Sequence, residues 1–263
     1  GTSDWKYYER TLSFKEPVTK AVLFIYGDAG SGTLFADNVF LETEHGKAPV
    51  APCMFREEEG KTVAENQYLK VAIDARHGAS AVSLIDKSTG KNLTESNGAF
   101  KDCLGELSMS ALWNLEYSRE IVKNTPDEIV LRYSCSPETL SFFTLVKEYR
   151  LLRNASTIEV SVALTNAKEA MGPRVFTYRA HNIISSPYGK NRWHYPTSKG
   201  VMTFQETGSQ QYYRDIVDGW AAFESGGNGA FVTVDYSALD FFYNWFGKPD
   251  TLEWFMKSVK IPE

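Results

Sequence analysis

Cysteine is scarce. Cys53, Cys103 and Cys135 are the only three in 263 residues, widely spaced and odd in number. No CxxC pair or Cys/His cluster accompanies them, so no zinc site is expected; buried free thiols are the plainer reading, with one disulfide left open. A chain of this length buries enough surface to build a core without such staples. Runs of Lys or Arg are also missing, and 28 basic against 33 acidic residues leave a net charge of −5. That excludes the concentrated basic face a nucleic-acid partner needs, and equally an anchor on anionic lipid. The longest wholly apolar stretch, Ala21 to Tyr26, is far too short to insert across a bilayer. There is no G-x-S-x-G elbow, P-loop or H-E-x-x-H motif, and no local Asp pattern that would hold calcium. Neither cofactor nor metal is therefore expected. No window sustains apolar residues at i, i+3, i+4 and i+7, so helices are not expected either.

Aromatic residues are abundant instead: 16 Phe, 14 Tyr and 6 Trp make 14% of the chain. Such rings favour pleated, half-buried surfaces, and a minority left exposed would form flat platforms for sugar rings. Period-two alternation dominates. Leu69, Val71 and Ile73 share one face of a strand, as do Ile129, Leu131 and Tyr133. In the stretch 158–165, Ile158, Val160, Val162 and Leu164 alternate with Glu159, Ser161, Ala163 and Thr165. Further strands are predicted at 81–86, 143–152, 174–184, 200–206, 229–236, 239–246 and 251–260. Turn signals such as Ser88-Thr-Gly, Asn97-Gly and Gly226-Gly-Asn-Gly separate them. The fold class is all-β: a large antiparallel β-sandwich with a short N-terminal β segment.

The organisation changes near residue 44. Residues 1–43 read as a few strands, too few for an independent sandwich, and 44–66, rich in Gly, Pro and Glu, read as a linker or long ordered connection. The main domain is placed at 67–263. The ends, Gly1-Thr-Ser-Asp and Ile261-Pro-Glu, read as cuts from a longer chain.

Gly32-Thr-Leu-Phe-Ala-Asp-Asn-Val-Phe-Leu41, with the Gly-rich turn before it, resembles the closing strands of a jelly-roll carbohydrate-binding module. From Tyr68 onward three segments resemble the galactose mutarotase-like supersandwich. They are Tyr68 to Asp86 with its Gly-containing turn, then Val146-Lys-Glu-Tyr-Arg-Leu-Leu leading to Ile158–Asn166, then Phe176-Thr-Tyr-Arg-Ala-His-Asn182. This supersandwich occurs in aldose epimerases and as accessory domains of glycoside hydrolases and polysaccharide lyases. The resemblance implies a glycan as partner and an extracellular or periplasmic location, with other domains of the same parent chain alongside. Fold similarity alone does not give an activity.

On a strand from Arg174 to Ile184, the side chains of Thr177, Arg179 and His181 project from one face. Arg179 can donate to hydroxyls or a uronate, and His181 can donate or take a proton. The same pattern also fits a solvated face or a hydrogen-bonded core histidine. Glu253 lies opposite Leu252, Trp254 and Met256 in alternation and is the available partner for His181. In mutarotases a histidine on the corresponding strand is the catalytic acid and a glutamate from a late strand the base. The resemblance thus implies His181 as acid and Glu253 as base if the chain is an enzyme. The further His/Arg motif of those enzymes has no counterpart, since the first half offers only His45 and His77. Between strands, Ser186 to Pro196 reads as a binding loop, where Trp193 and Tyr195 would stack on sugars while Arg192 and His194 reach hydroxyls. A loop packed on its own aromatics fits as well. Trp220 and Trp245 are expected in the core.

The leading expectation is a carbohydrate-binding accessory domain of a larger secreted polysaccharide-processing protein. Thr177, Arg179, His181, Arg192, Trp193, His194, Tyr195 and Glu253 would bind glycan on a concave sheet face. The alternatives are a mutarotase or epimerase using His181 and Glu253, or a structural domain packing on a catalytic partner domain.

Overall fold

The computed structural model describes residues 50–94, 98–105, 111–138, 143–165, 174–184, 191–205, 210–225, 228–246 and 250–261. Among these, every regular element is a β-strand, and every pairing is antiparallel. The compact unit that holds them runs from Ala48 to Glu263. The segment 1–43, with its resemblance to a jelly-roll module, lies outside the described residues.

The first sheet is a meander of β1 (Met54–Glu58), β2 (Lys61–Glu65), β3 (Leu69–Asp74), β4 (Ser80–Asp86) and β5 (Lys91–Asn92). Its first two strands fall where the sequence reads as linker. They form a hairpin closed by Glu59 and Gly60, which both have positive φ (52° and 77°). Two residues of that kind make a turn whose twist matches the flanking strands. The charges of Arg56-Glu-Glu-Glu59 hide the alternation, and Arg56 pairs with Glu58 on its own strand and with Glu65 across the hairpin.

After β6 (Lys101–Leu104), a second sheet comprises β7 (Ser118–Asn124), β8 (Glu128–Cys135), β9 (Thr144–Leu152) and β10 (Ile158–Thr165). Its two faces divide cleanly. Leu145, Tyr149 and Leu151 are buried with Ile129, Leu131 and Tyr133 in one core. The opposite face carries Glu120–Arg132–Glu148 and Glu128–Arg150–Glu159 ion-pair chains, solvated and therefore weak contributors to stability.

The remaining strands are β11 (Arg174–Phe176), β12 (Tyr178–Ile184), β13 (Arg192–Thr197), β14 (Gly200–Gln205) and β15 (Gln210–Tyr213), followed by β16 (Trp220–Ser225), β17 (Asn228–Thr233), β18 (Leu239–Phe246), β19 (Asp250–Met256) and β20 (Val259–Ile261). They form a five-stranded sheet in the order β15-β18-β19-β12-β6, a four-stranded sheet β14-β13-β16-β17, and the pair β11-β20. The strand expected at 174–184 thus breaks at Thr177, and that expected at 251–260 breaks after Met256.

The five-stranded sheet joins two cores through one of its faces. Leu104 and Tyr178 pack into the first core, while Phe242 and Leu252 join Trp193, Tyr195, Tyr213 and Phe223 in a second. A fully buried ion pair ties this face to the second sheet. Lys147 Nζ lies 2.8 Å from Asp102 Oδ2, with both side chains at 0% exposure. The ammonium also donates to the carbonyls of Phe100 (2.6 Å) and Gly78 (3.1 Å), and Asp102 accepts from the hydroxyls of Tyr117 (3.0 Å) and Tyr178 (2.8 Å). Every strong polar group there has a partner, as burial demands. None of the three cysteines is in a disulfide.

Candidate functional site

Alternation and register place the site on the other face of the five-stranded sheet. Across β6, β12, β19, β18 and β15, the pairings Lys101↔His181, His181↔Glu253, Glu253↔Tyr243 and Tyr243↔Tyr212 form one row. A second row runs Cys103↔Arg179, Arg179↔Phe255 and Phe255↔Phe241. Directly opposed residues on a sheet share a face, so these side chains form one surface.

At its centre His181 Nδ1 lies 2.7 Å from Glu253 Oε1, and both residues are buried. A carboxylate can only accept, so the proton between them sits on Nδ1. Arg179 Nε lies 3.2 Å from Glu253 Oε2. That contact is electrostatic, not a hydrogen bond, because Oε2 accepts none despite its burial. The guanidinium of Arg179 stands 5.1 Å over the Phe255 ring. The ring of Trp113 lies 4.9 Å from that of His181, tilted by 33°, and Lys101 Nζ sits 4.3 Å above Trp113. Burial pushes the Cys103 thiol up, with Arg179 opposing it, and burial lowers the Lys101 ammonium.

Beside this polar cluster the face turns aromatic. Phe241 and Phe255 stack at 4.4 Å with 14° between planes, and Tyr212 lies 4.7 Å from Tyr243. Arg214 covers Phe241 at 4.1 Å. Tyr212 and Trp245 are 56% and 48% exposed, so their ring surfaces are open to a ligand. The arrangement offers hydrogen-bond donors and acceptors next to flat apolar rings, the two features a sugar presents in complement.

Of the sequence-predicted residues, Arg179, His181 and Glu253 meet. Thr177 lies on the same alternation at the strand break, where its hydroxyl is 2.9 Å from that of Ser258. The other four do not join them. Residues 192–197 are not a loop but strand β13 of a different sheet. Trp193 and Tyr195 are fully buried, because alternation forces one set of side chains inward and the rings are the apolar set. Arg192 and His194 point to the opposite, outer side, where Arg192 pairs with Glu224 (3.0 Å) and His194 contacts Thr203 (3.1 Å). Trp220 is half-buried and Trp245 is half-exposed, which corrects the core expectation for the latter. Residues 185–190 lie outside the described residues.

Sequence reasoning missed Lys101, Cys103, Trp113, Tyr212, Tyr243 and Phe255. A signal was present for part of this set. β18 reads Phe241-Phe242-Tyr243-Asn244-Trp245, aromatic on both faces, whereas only one face of a sandwich strand meets the core.

The geometry of the pair also departs from the acid–base arrangement drawn above. An acid and a base acting on opposite sides of a sugar stand apart by its width. Here they share a hydrogen bond, and Trp113 covers the histidine.

Neither protein-family models nor curated proteins yield a match to the chain. Solved structures do. The chain is similar to a TPR-domain containing protein from Parabacteroides distasonis, with a TM-score of 0.59 and 12% identity over 77% of this chain. It spans only 44% of that protein's length. A putative aldose 1-epimerase from Klebsiella pneumoniae superposes with a TM-score of 0.54 and 13% identity, over 74% of this chain and 70% of that one. A galactose mutarotase-like protein from Lactobacillus casei gives 0.52 and 10% identity, over 80% and 95%. At such identities the likeness is one of fold: the chain has the galactose mutarotase-like fold.

Proposed function

We propose that this chain is a carbohydrate-binding domain that holds a glycan on the face of its five-stranded sheet turned away from the two cores, within a larger secreted polysaccharide-processing protein. One observation carries the reading: the cluster of Arg179, His181 and Glu253 shares that face with half-exposed rings of Tyr212 and Trp245. Sugar rings stack on the aromatic surfaces, while Arg179, the more open member of the cluster, donates to hydroxyls. Glu253 fixes the histidine tautomer and balances the arginine charge. Binding is favoured over mutarotation because His181 and Glu253 are 2.7 Å apart and cannot flank a sugar in their present positions.

The test is affinity electrophoresis of the folded chain against a panel of plant, algal and host polysaccharides. Retardation by a glycan is expected, and Tyr212→Ala and Trp245→Ala should each abolish it while leaving the fold intact. A panel with no retardation, or variants retarded like the parent, would overturn the reading.

A further inference from the structure

The binding face is unbalanced in charge. Among the described residues of its strands and the one that extends β15, Lys101, Arg179 and Arg214 share this face with the alternating carboxylate Glu253, and Asp240 stands exposed at the bulge beside Phe241. Glu253 is already committed to His181 and Arg179, through a hydrogen bond and a close ionic contact. Lys101 is the unusual member. The residue is 9% exposed, yet its ammonium meets no carboxyl group among the described residues. Its contact is the face of Trp113, 4.3 Å away. Compare Lys147, the other lysine buried among the described residues, which has Asp102 at 2.8 Å and carbonyls around it. Burying a cation without an anion is costly, and a chain normally avoids it unless a ligand supplies the missing charge. A cation held against an aromatic face keeps part of its electrostatic stabilisation while it waits for one.

Resting on the glycan-binding reading, we infer that this face selects sugars bearing an acidic group, a carboxylate or a sulfate ester, and that Lys101 is its principal counter-ion. Arg179 is the diagonal neighbour of Lys101 across the β6–β12 pairing, about 7 Å away between backbones, within reach of one sugar substituent. The exposed rings of Tyr212 and Trp245 lie further along the same face and take the neighbouring residues of the chain. Arg214, over Phe241, adds a second positive position on that side. Burial lowers the Lys101 pKa, and an anion beside it reverses that effect, so binding of the acidic sugar is stronger on the acid side of the lysine titration.

The experiment is titration calorimetry of the folded chain with four probes of equal length: oligogalacturonate, its methyl ester, neutral galacto-oligosaccharide and a sulfated galacto-oligosaccharide. Oligogalacturonate or the sulfated probe should bind roughly ten- to a hundredfold tighter than the ester and the neutral sugar, with a preference that shrinks as salt rises. Whichever of the two acids binds better names the source of the charge. Lys101→Met, which keeps the stem on Trp113, should bring the affinity for the acidic probes down to that for the neutral sugar. The parent's acid-against-ester comparison needs no variant, so it stands even if Lys101→Met unfolds. Equal affinity for charged and neutral probes, or a preference unchanged in Lys101→Met, would overturn this inference and leave glycan binding in place. Failure of all four probes to bind would overturn this inference, while the polysaccharide panel decides the glycan-binding reading separately.

Discussion

The substitution Lys147→Met isolates the link between the two sheets. Methionine fills the space of the stem, so the change is chiefly loss of the charge. Asp102 would then remain at 0% exposure with only the hydroxyls of Tyr117 and Tyr178 as donors. The carbonyls of Phe100 and Gly78 would lose the ammonium, whereas that of Ala79 keeps the Tyr149 hydroxyl at 2.6 Å. Removing one partner of a buried pair costs about 3–5 kcal/mol. At roughly 2–4 °C per kcal/mol for a domain of this size, the melting temperature should fall by roughly 6–20 °C. Urea denaturation followed by far-UV circular dichroism gives the free energy directly. Adding Asp102→Asn removes the orphaned charge and keeps an oxygen for one tyrosine, so the double variant should lose less than the two single losses combined. A loss below about 1 kcal/mol for Lys147→Met would refute the argument, since an uncompensated buried carboxylate cannot be that cheap.

The same interior sets an alkaline limit. Burial first, and the Asp102 charge second, push the hydroxyls of Tyr117, Tyr149 and Tyr178 well up from their ordinary range. The folded state therefore keeps these protons where the unfolded chain releases them, and stability falls as pH rises above about 10, by about 1.4 kcal/mol per pH unit for each group. Tyrosine absorbance at 295 nm should show these groups silent until the chain unfolds; their smooth titration in folded protein would contradict this. At the acid end, burial raises the Asp74 carboxyl, but His77 and the Arg76 backbone outweigh it and hold it low. Its contribution is complete above about pH 4 and lost below, so Asp74→Asn should flatten the acid limb of the stability curve. Trp193→Ala should cost about 3–5 kcal/mol in urea, as expected of a fully buried ring, whereas Trp245→Ala should change stability by under about 1 kcal/mol. Gly78 has φ +67°, and a Cβ there would lie 2.8 Å from the Leu112 carbonyl, so Gly78→Ala should destabilise by more than about 1 kcal/mol in the same assay.

Much of the fold was legible because strands buried on one face announce themselves. Ile158–Thr165 and Leu239–Phe246 match their predicted spans, and Glu128–Cys135 contains the alternating Ile129, Leu131 and Tyr133. Strands with weaker alternation escaped notice. β7 is an edge strand exposed along its whole length, so its sequence carries no buried set to read. β6 is buried at all four positions, with Lys101 and Asp102 hiding it behind charge. The site was half legible for the same reason. Arg179 and His181 break an aromatic strand, and Glu253 breaks another, so each stands out locally. That Lys101, Trp113 and Tyr243 join them depends on which strands are neighbours, and pairing order is not written in any single segment. Trp193 and Tyr195 misled because the loop composition before them, and Pro196 at their end, masked a strand whose rings turn inward.

The most direct test of the account is hydrogen–deuterium exchange of the folded chain, free and saturated with the tightest-binding oligosaccharide. Protection should concentrate in peptides covering 101–104, 178–184, 210–214, 239–246 and 250–256, the strands of the binding face. Peptides covering 192–205 should be unchanged. Protection centred on 192–205, with the five-stranded sheet unaffected, would move the site to Arg192 and His194 and contradict the account.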